Sequence, residues 1–372
     1  MQIIPIIMET TSPTFARNDS MKFFRTLNSR VNSYFKDNNI QKTGNWKLHL
    51  KTVIMFSLFF LPFFAILYFT NMPFWIYILS SFIIGIGMAG VGMNVMHDGN
   101  HGSYSSKTWL NKIMGGSIYI LAGNVYNWQV QHNVLHHTYT NIPGHDEDLD
   151  AGRVIRFTNE AKWYKFHAFQ HYYSFFLYGL LTFNWCLTTD FKQMGGYLKR
   201  KLSYGEAPNP TNLWTGLVIS KIVYFGFWIV TPLVLGITWW KVLIGFTVMH
   251  YTAGLILSIV FQLAHIIDDT TNPNPNEEGE IENTWAIHQL FTTINFAPKN
   301  WVVNWYTGGL NHQIEHHLFP HISHVHYGKI AEFVKQTAQE CQLPYHEYQT
   351  MTSAVLAHFR HLKDLGQKPQ LA

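Results

Sequence analysis

From Thr52 to Met96 the chain carries no Asp, Glu, Lys or Arg, a run much longer than the roughly 20 residues that one membrane crossing needs. Two crossings are predicted. The break falls at TNMPFW, where Asn71 favours a turn and Pro73 has no N–H to give a helix. This places spans at 52–70 and 73–95. A second apolar pair is predicted at 217–236 and 239–263, joined by GITWW, whose Trp239 and Trp240 suit a membrane–water boundary. Lys221, near the start of the third span, can run its stem along apolar surface and reach the interface.

Between the pairs, Phe166 to Thr189 also lacks charged residues. Its polar points at His167, Gln170, His171, Ser174 and Asn184 fit a helix lying in the interface or re-entering it. A fifth crossing would also put the histidines of 97–137 and those near 316 on opposite sides of the bilayer. Both span-to-span connections are short and, Lys241 apart, uncharged, whereas the segment before residue 52 and KQMGGYLKRK at 192–201 are basic. The positive-inside rule then makes the N-terminal segment, the 97–212 region and the C-terminal region cytosolic. The expected fold is an all-α integral membrane protein, with four transmembrane helices in two hairpins under a cytosolic helical cap. The expected division is an N-terminal segment 1–51, a membrane and cap domain 52–330, and a C-terminal segment 331–372. The MQIIPIIM start is too short for a signal-peptide core, and no basic region precedes it.

Composition agrees with a membrane chain. Of 372 residues 47% are apolar, 16% aromatic and 13% charged, against about 25% charged in soluble domains. A net charge of +4 fits cytosolic loop charge and gives no case for nucleic acid. The two cysteines, Cys186 and Cys341, form no CxxC pair or disulfide framework. The 21 histidines change the picture, because imidazole is the commonest protein ligand for metals.

They gather in three clusters: HDGNH (His97, His101), HNVLHH (His132, His136, His137) and QIEHH (Gln313, His316, His317). Histidines four apart share one helix face and can converge on one ion. Adjacent helical residues point about 100° apart, so the doublets His136–His137 and His316–His317 suit two neighbouring metals. His265, at the predicted end of the fourth span, points to the same site. Neither cysteine lies in a cluster, and HDGNH has Asp98 where an HExxH zinc protease has Glu. Imidazole donors alone are compatible with iron, zinc or copper.

The order HxxxH, HxxxHH, QxxHH, with two spans before the first cluster and two between the second and third, resembles the membrane fatty-acid desaturase family. HDGNHGSYS, QHNVLHHTYTN and GGLNHQIEHHLFP look most like the front-end acyl desaturases, whose third cluster begins with Gln. The resemblance implies two non-haem iron ions held by His97, His101, His132, His136, His137, His316 and His317, with His265 added from the fourth span. Gln313 takes the place of a histidine, as a ligand or as an orienting amide. It further implies that dioxygen and two electrons convert adjacent methylenes of an acyl chain to a cis double bond. Asp98, Asp148, Asp150 and Glu315 are candidates for orienting imidazoles, and Trp128, Trp301, Trp305 and Tyr306 for lining an acyl tunnel. No HPGG haem motif of a fused cytochrome b5 precedes the first span. A separate donor such as a ferredoxin or cytochrome b5 is therefore expected, along with a bacterial inner membrane. Arg153, Arg156, Lys192, Lys199, Arg200 and Lys201 are candidates for contacting a carrier. The acyl group could arrive on coenzyme A, on a carrier protein or in a glycerolipid. The alternatives are a di-iron hydroxylase of the same superfamily and, more remotely, a zinc-dependent membrane hydrolase. A metal transporter is disfavoured, because the clusters lie at span ends and not at mid-membrane.

Overall fold

A computed structural model describes residues 12–17, 21–206 and 209–369; the MQIIPIIM start lies outside them. Among the described residues four helices are long and apolar enough to cross a membrane: Trp46–Tyr68, Phe74–Asn100, Pro210–Val234 and Trp239–His265. Pro73 stands at the start of the second, where its fixed backbone angle suits a helix entry. The first begins earlier than its apolar run because Asn45 caps it, accepting from the Lys47 N–H at 2.9 Å, a bond typically worth about 1 kcal/mol. Asn209 and Pro210 do the same for the third, with Asn209 accepting from the Thr211 N–H at 2.8 Å. The second and fourth run past the apolar stretch, the second through His97 to Asn100 and the fourth to His265.

Small residues let the spans approach closely. Gly87 lies against the backbone of Phe59 in the first span, and a Cβ on Gly85 would sit 2.6 Å from the Met249 carbonyl oxygen in the fourth. Trp228 of the third span packs on Phe59 and Phe63 of the first, at 5.1 and 4.4 Å between ring centres. The outer faces, with Val53, Leu61, Phe64, Ile222, Val223 and Leu243, stay exposed, as side chains that meet lipid must. Lys221 does not reach the interface. It is 5% exposed, and its Nζ donates to Asp190 Oδ2 at 2.6 Å and to the Trp185 carbonyl oxygen. Asn127 Nδ2 donates to the Asp190 backbone carbonyl at 2.8 Å. Removing either partner of a buried pair leaves a charge uncompensated, at a cost of about 3–5 kcal/mol. The third span is thereby pinned to the segment that carries the second cluster.

The charge-free stretch 166–189 is helical but broken: Gln170–Tyr178, then Leu181–Asn184 and a π-wound turn Trp185–Thr189. The last of these continues into Asp190–Lys199, whose charged residues Asp190, Lys192 and Lys199 set it apart from the apolar spans. Beyond the spans, helix Phe23–Asp37 buries Phe23, Leu27, Val31 and Phe35 against Ile314, Leu318, Ile330 and Val334. Helix Tyr327–Glu340 lies alongside, and Arg30 reaches Thr337 and Glu340 on it. The last helix, Met351–Leu365, closes on Tyr178 through His358 Nε2 at 2.9 Å. Two short parallel strand pairs, Thr14–Phe15 with Glu280–Ile281 and Asn295–Phe296 with Glu347–Tyr348, fasten the ends of the chain to the cap.

Candidate metal centre

The second span changes its winding just before the first cluster. Residues Gly92–Met96 form a π turn, and the His97 N–H bonds to the Gly92 carbonyl five residues back. His97 and His101 follow with ring centres 4.6 Å apart. The second cluster sits on a helix entered through Asn124, which accepts from the Asn127 N–H, and π-wound over Gln129–His136. A bond of the i→i+5 kind stacks residues five apart, and the His137 N–H accordingly bonds to the His132 carbonyl. His137 therefore comes over His132, their Nε2 atoms 3.3 Å apart. The third cluster lies on the short helix Gln313–Leu318, buried along its whole length. Glu315 ties that helix down, accepting from Asn295 Nδ2 at 2.7 Å and from the Tyr345 hydroxyl at 3.1 Å.

These elements bring all the cluster histidines together in two groups. In the first, nitrogens of His97, His101, His132 and His316 lie within 4.8 Å of one another, and His137 Nε2 is 3.0 Å from His316 Nε2. In the second, His136, His265 and His317 meet the same limit. Gln313 stands beside this second group, its Nε2 3.0 Å from His265 Nε2 and 3.4 Å from His317 Nε2. Both doublets split between the groups, with rings inclined by 75° for His136–His137 and 83° for His316–His317. A further combination of His132, His136 and Asp148 overlaps both groups.

The outer nitrogens are held differently. His136 Nδ1–H donates to Asp146 Oδ2 at 3.0 Å, and Asp148 Oδ2 lies 3.5 Å away. The carboxylate can only accept, so it keeps the proton on Nδ1 and leaves Nε2 bare. That buried Nε2 has no protein partner, and neither does that of His101. His317 Nδ1–H donates to Gln289 Oε1 at 2.8 Å, His265 Nδ1–H to the Thr292 carbonyl at 3.2 Å, and His316 Nδ1–H to the Tyr327 hydroxyl at 3.1 Å. Burial, and then the neighbouring imidazoles, hold His101, His132, His137, His316 and His317 well below the usual histidine pKa. They are neutral near pH 7, the form that binds metal. Burial lowers His136 as well, but the Asp146 charge and hydrogen bond outweigh it and raise the pKa. Burial pushes the Asp148 carboxyl up to about 7. An array of convergent neutral imidazoles, with bare buried nitrogens and no thiolate, fits a metal with nitrogen preference.

Several sequence expectations need correcting. Asp98 orients no site imidazole: its Oδ2 accepts from Ser323 Oγ at 2.7 Å and from His324 Nδ1 at 3.0 Å. Glu315 anchors its helix, and exposed Asp150 accepts from the Gly152 N–H. Of the four aromatic residues only Trp128 lines the cavity described below; Trp301 is 75% exposed, Trp305 faces Lys51 and the Tyr306 hydroxyl bonds to the Ile86 carbonyl. Arg156 is buried and donates to the carbonyls of Asn159, Ala161 and Leu365, and Arg200 pairs with Glu147. Arg153, Lys192, Lys199 and Lys201 remain exposed. Asp146, Gln289, Thr292 and Tyr327 were missed; only Asp146, in HDEDLD beside the second cluster, gave any sequence signal.

A cavity of about 1270 Å³ opens among Asp150, Gly152, Glu160, Lys192 and Arg200, passes His97, His132 and Gln313, and ends between Met88, Gly92, Ile118, Leu121 and Leu257. Its exposed lining joins the charged residues Asp150, Glu160, Lys192 and Arg200 to the apolar Val154, Leu180 and Leu187, while the part around Met88, Gly92, Ile118 and Leu121 is apolar and buried. A long apolar chain with a polar head fits this gradient.

Fold and site together define an integral membrane metalloprotein whose histidine-walled centre opens on a channel shaped for a hydrocarbon chain. Residues 73–349 match the model of the fatty acid desaturase family, and the chain belongs to that family. It is similar to the sn-1 linoleoyl-lipid 6-desaturase of Arthrospira platensis, 35% identical over 97% of this chain and 96% of that protein. The sn-1 linoleoyl-lipid 6-desaturase of Synechocystis sp. is 35% identical over 93% and 96%, and the acyl-lipid (8-3)-desaturase of Physcomitrium patens 33% identical over 95% and 73%. The protein is a fatty acyl desaturase, an oxidoreductase acting on acyl lipids.

Proposed function

We propose that the protein binds two iron ions and inserts a cis double bond into the acyl chain of a glycerolipid. His97, His101, His132, His137 and His316 would hold one ion; His136, His265 and His317 would hold the other, with Gln313 filling the remaining place beside it. The observation that carries this reading is the split of both doublets between two groups of convergent nitrogens, since one ion would need only one group. When bound, the irons supply the dioxygen-dependent redox chemistry that removes two hydrogens from adjacent methylenes, bonds with no acidity for a side chain to exploit. Two electrons from a separate carrier and two protons complete the reduction of dioxygen to two waters. The chain's own residues fix the imidazole tautomers through Asp146, Gln289 and Thr292, and hold the hydrocarbon in place against His97, His132 and Gln313.

The front-end relatives support an acyl substrate that already has a double bond, with the new one placed on its carboxyl side. Exposed Lys192, Lys199 and Lys201 support a cytosolic site, and the likeness to the proteins of Arthrospira platensis and Synechocystis sp. supports a bacterial membrane. His101 is the one histidine of the centre that is not fully buried, which favours its face for electron entry from a ferredoxin or cytochrome b5. The test is expression in a host fed defined saturated and unsaturated acyl chains, with gas chromatography of the lipids and metal analysis of the purified protein. A new cis double bond and two irons per chain are expected. A hydroxylated product with no new double bond, or zinc alone, overturns the reading.

A further inference from the structure

Between the mouth of the cavity and the metal centre stands an amide whose oxygen has no partner. Gln262 lies in the fourth span three residues before His265, lines the cavity and is 9% exposed. Its Oε1 is buried and makes no hydrogen bond among the described residues. Leaving a buried amide unpaired costs free energy, and buried polar groups are paired as a rule. Other polar side chains lining the cavity are engaged: Ser258 Oγ donates to the Tyr178 carbonyl at 3.1 Å, and Thr182 Oγ1 to the His250 carbonyl at 2.9 Å. The partner of Gln262 is left to come from what fills the cavity.

The fourth span turns two faces to the cavity. Leu257 and Phe261 form one: Leu257 stands opposite Gly92 at the apolar end, and the Phe261 ring centre is 5.0 and 4.9 Å from those of His136 and His265. Ser258, Gln262 and Ile266, four apart, form the other. On that face Ser258 bonds to Tyr178, and Ile266 packs in one cluster with Leu149, Ile155 and Phe157, next to Asp150 and Gly152 of the mouth. A chain entering from the mouth therefore meets Gln262 before it meets the imidazoles. Such a chain offers one strong acceptor, the carbonyl oxygen of its ester, and a glutamine amide carries two N–H donors to serve it; its nitrogen and oxygen sides have the same shape and exchange by a half turn. Three residues of helix span about 4.5 Å, so a carbonyl held at Gln262 leaves few carbons between itself and the imidazoles. That agrees with a new double bond on the carboxyl side of one already present. We propose that the Gln262 amide binds the ester carbonyl of the acyl chain, and so fixes how many carbons separate the carboxyl end from the metal centre and where the new double bond falls. This rests on the desaturase reading.

The experiment has two arms. The first compares binding of methyl oleate with that of oleyl methyl ether, which lacks the carbonyl oxygen, to the purified protein kept free of dioxygen so that nothing reacts. The unaltered protein is expected to favour the ester by about tenfold or more, and Gln262→Leu, close in size but without the amide, to bind the two within about twofold of each other. The second arm locates the new double bond by mass spectrometry in a host fed unsaturated acyl chains. Gln262→Asn, whose amide sits one methylene nearer the helix, should spread the product over neighbouring positions. Equal binding of ester and ether by the unaltered protein, or an ester preference that Gln262→Leu retains, overturns the proposal. If Gln262→Leu cannot be purified, Gln262→Asn decides: product confined to the original position overturns the proposal, and a spread of positions supports it. Failure of the unaltered protein to desaturate any chain counts against the desaturase reading, and the ester preference then still decides for Gln262.

Discussion

The two histidine groups are built from the same side chain and held by different forces. His136, His265 and His317 are buried, and each has its outer nitrogen fixed by a named acceptor: Asp146, the Thr292 carbonyl and Gln289. The other group has one such bond among the described residues, from His316 to Tyr327. It is gathered instead around Trp128, whose ring centre lies 5.6, 5.5 and 4.5 Å from those of His97, His101 and His132. It also includes the half-buried His101. Hydrogen bonds with defined tautomers make a stiff site, whereas ring packing leaves the imidazoles freer to turn. The stiff half is buried throughout, whereas the looser half includes the one partly exposed histidine, His101, and lines the cavity through His97 and His132.

The largest effects should come from removing a ligand. His136→Ala and His316→Ala are each expected to cut product by more than about 100-fold, beyond the range seen for supporting groups. Metal analysis should find the remaining ion kept better in His316→Ala, where the stiff half is intact. Equal retention in the two variants would break the comparison. Next, Asp146→Asn should weaken metal binding or turnover by about 10- to 100-fold, and Tyr327→Phe by less, because packing supports the His316 side. Metal titration of both variants checks the order, and reversal would show that the looser half relies on its single hydrogen bond after all. A chelator should strip the ions in two phases, with the ion beside His101 leaving first; a single phase of metal release would mean that the halves are equally accessible. The smallest effect is expected for Gln313→His, which should keep both metal and product if the position is a ligand place, whereas Gln313→Ala should lose metal from the stiff half. Retention of both by Gln313→Ala would make the amide a bystander.

Much of this was legible in the sequence, and the exceptions have physical causes. The first two spans came from one charge-free run and the other two from apolar stretches with a single lysine each, but their ends lay several residues off, because a capped helix continues beyond the apolar stretch, as at Asn45 and Asn209. The histidine clusters, with His265 from the fourth span, named the imidazoles that the structure brings together, and the doublets their parting into two groups. The pairing within the second cluster was not legible: ordinary helical spacing matches His132 with His136, and only the π winding brings His137 over His132. Tyr327, Gln289 and Thr292 reach the centre through tertiary packing, with no fixed offset from the clusters. Asp146 was visible in HDEDLD, but three neighbouring acids compete there, and chain geometry alone selects the one facing His136. Lys221 stood out as a charge in a span, yet its partner Asp190 lies in a different helix.

The π turn at Gly92–Met96 also bears on how such chains tolerate length changes. A π turn holds one residue more than the α-helical turn it replaces, so deleting any one residue from 92–96 would let the helix relax to regular winding. Because the lost residue is the one that the π turn had added, His97 and His101 would keep nearly the same face of the helix. The same deletion in the regular part of the span, before Gly92, has no extra residue to give up: it would turn both histidines by about 100° and lose the centre, with every motif still spelled correctly. For this fold the phase of the helix matters as much as the letters, and an alignment that slides a gap into the second span would conceal that change.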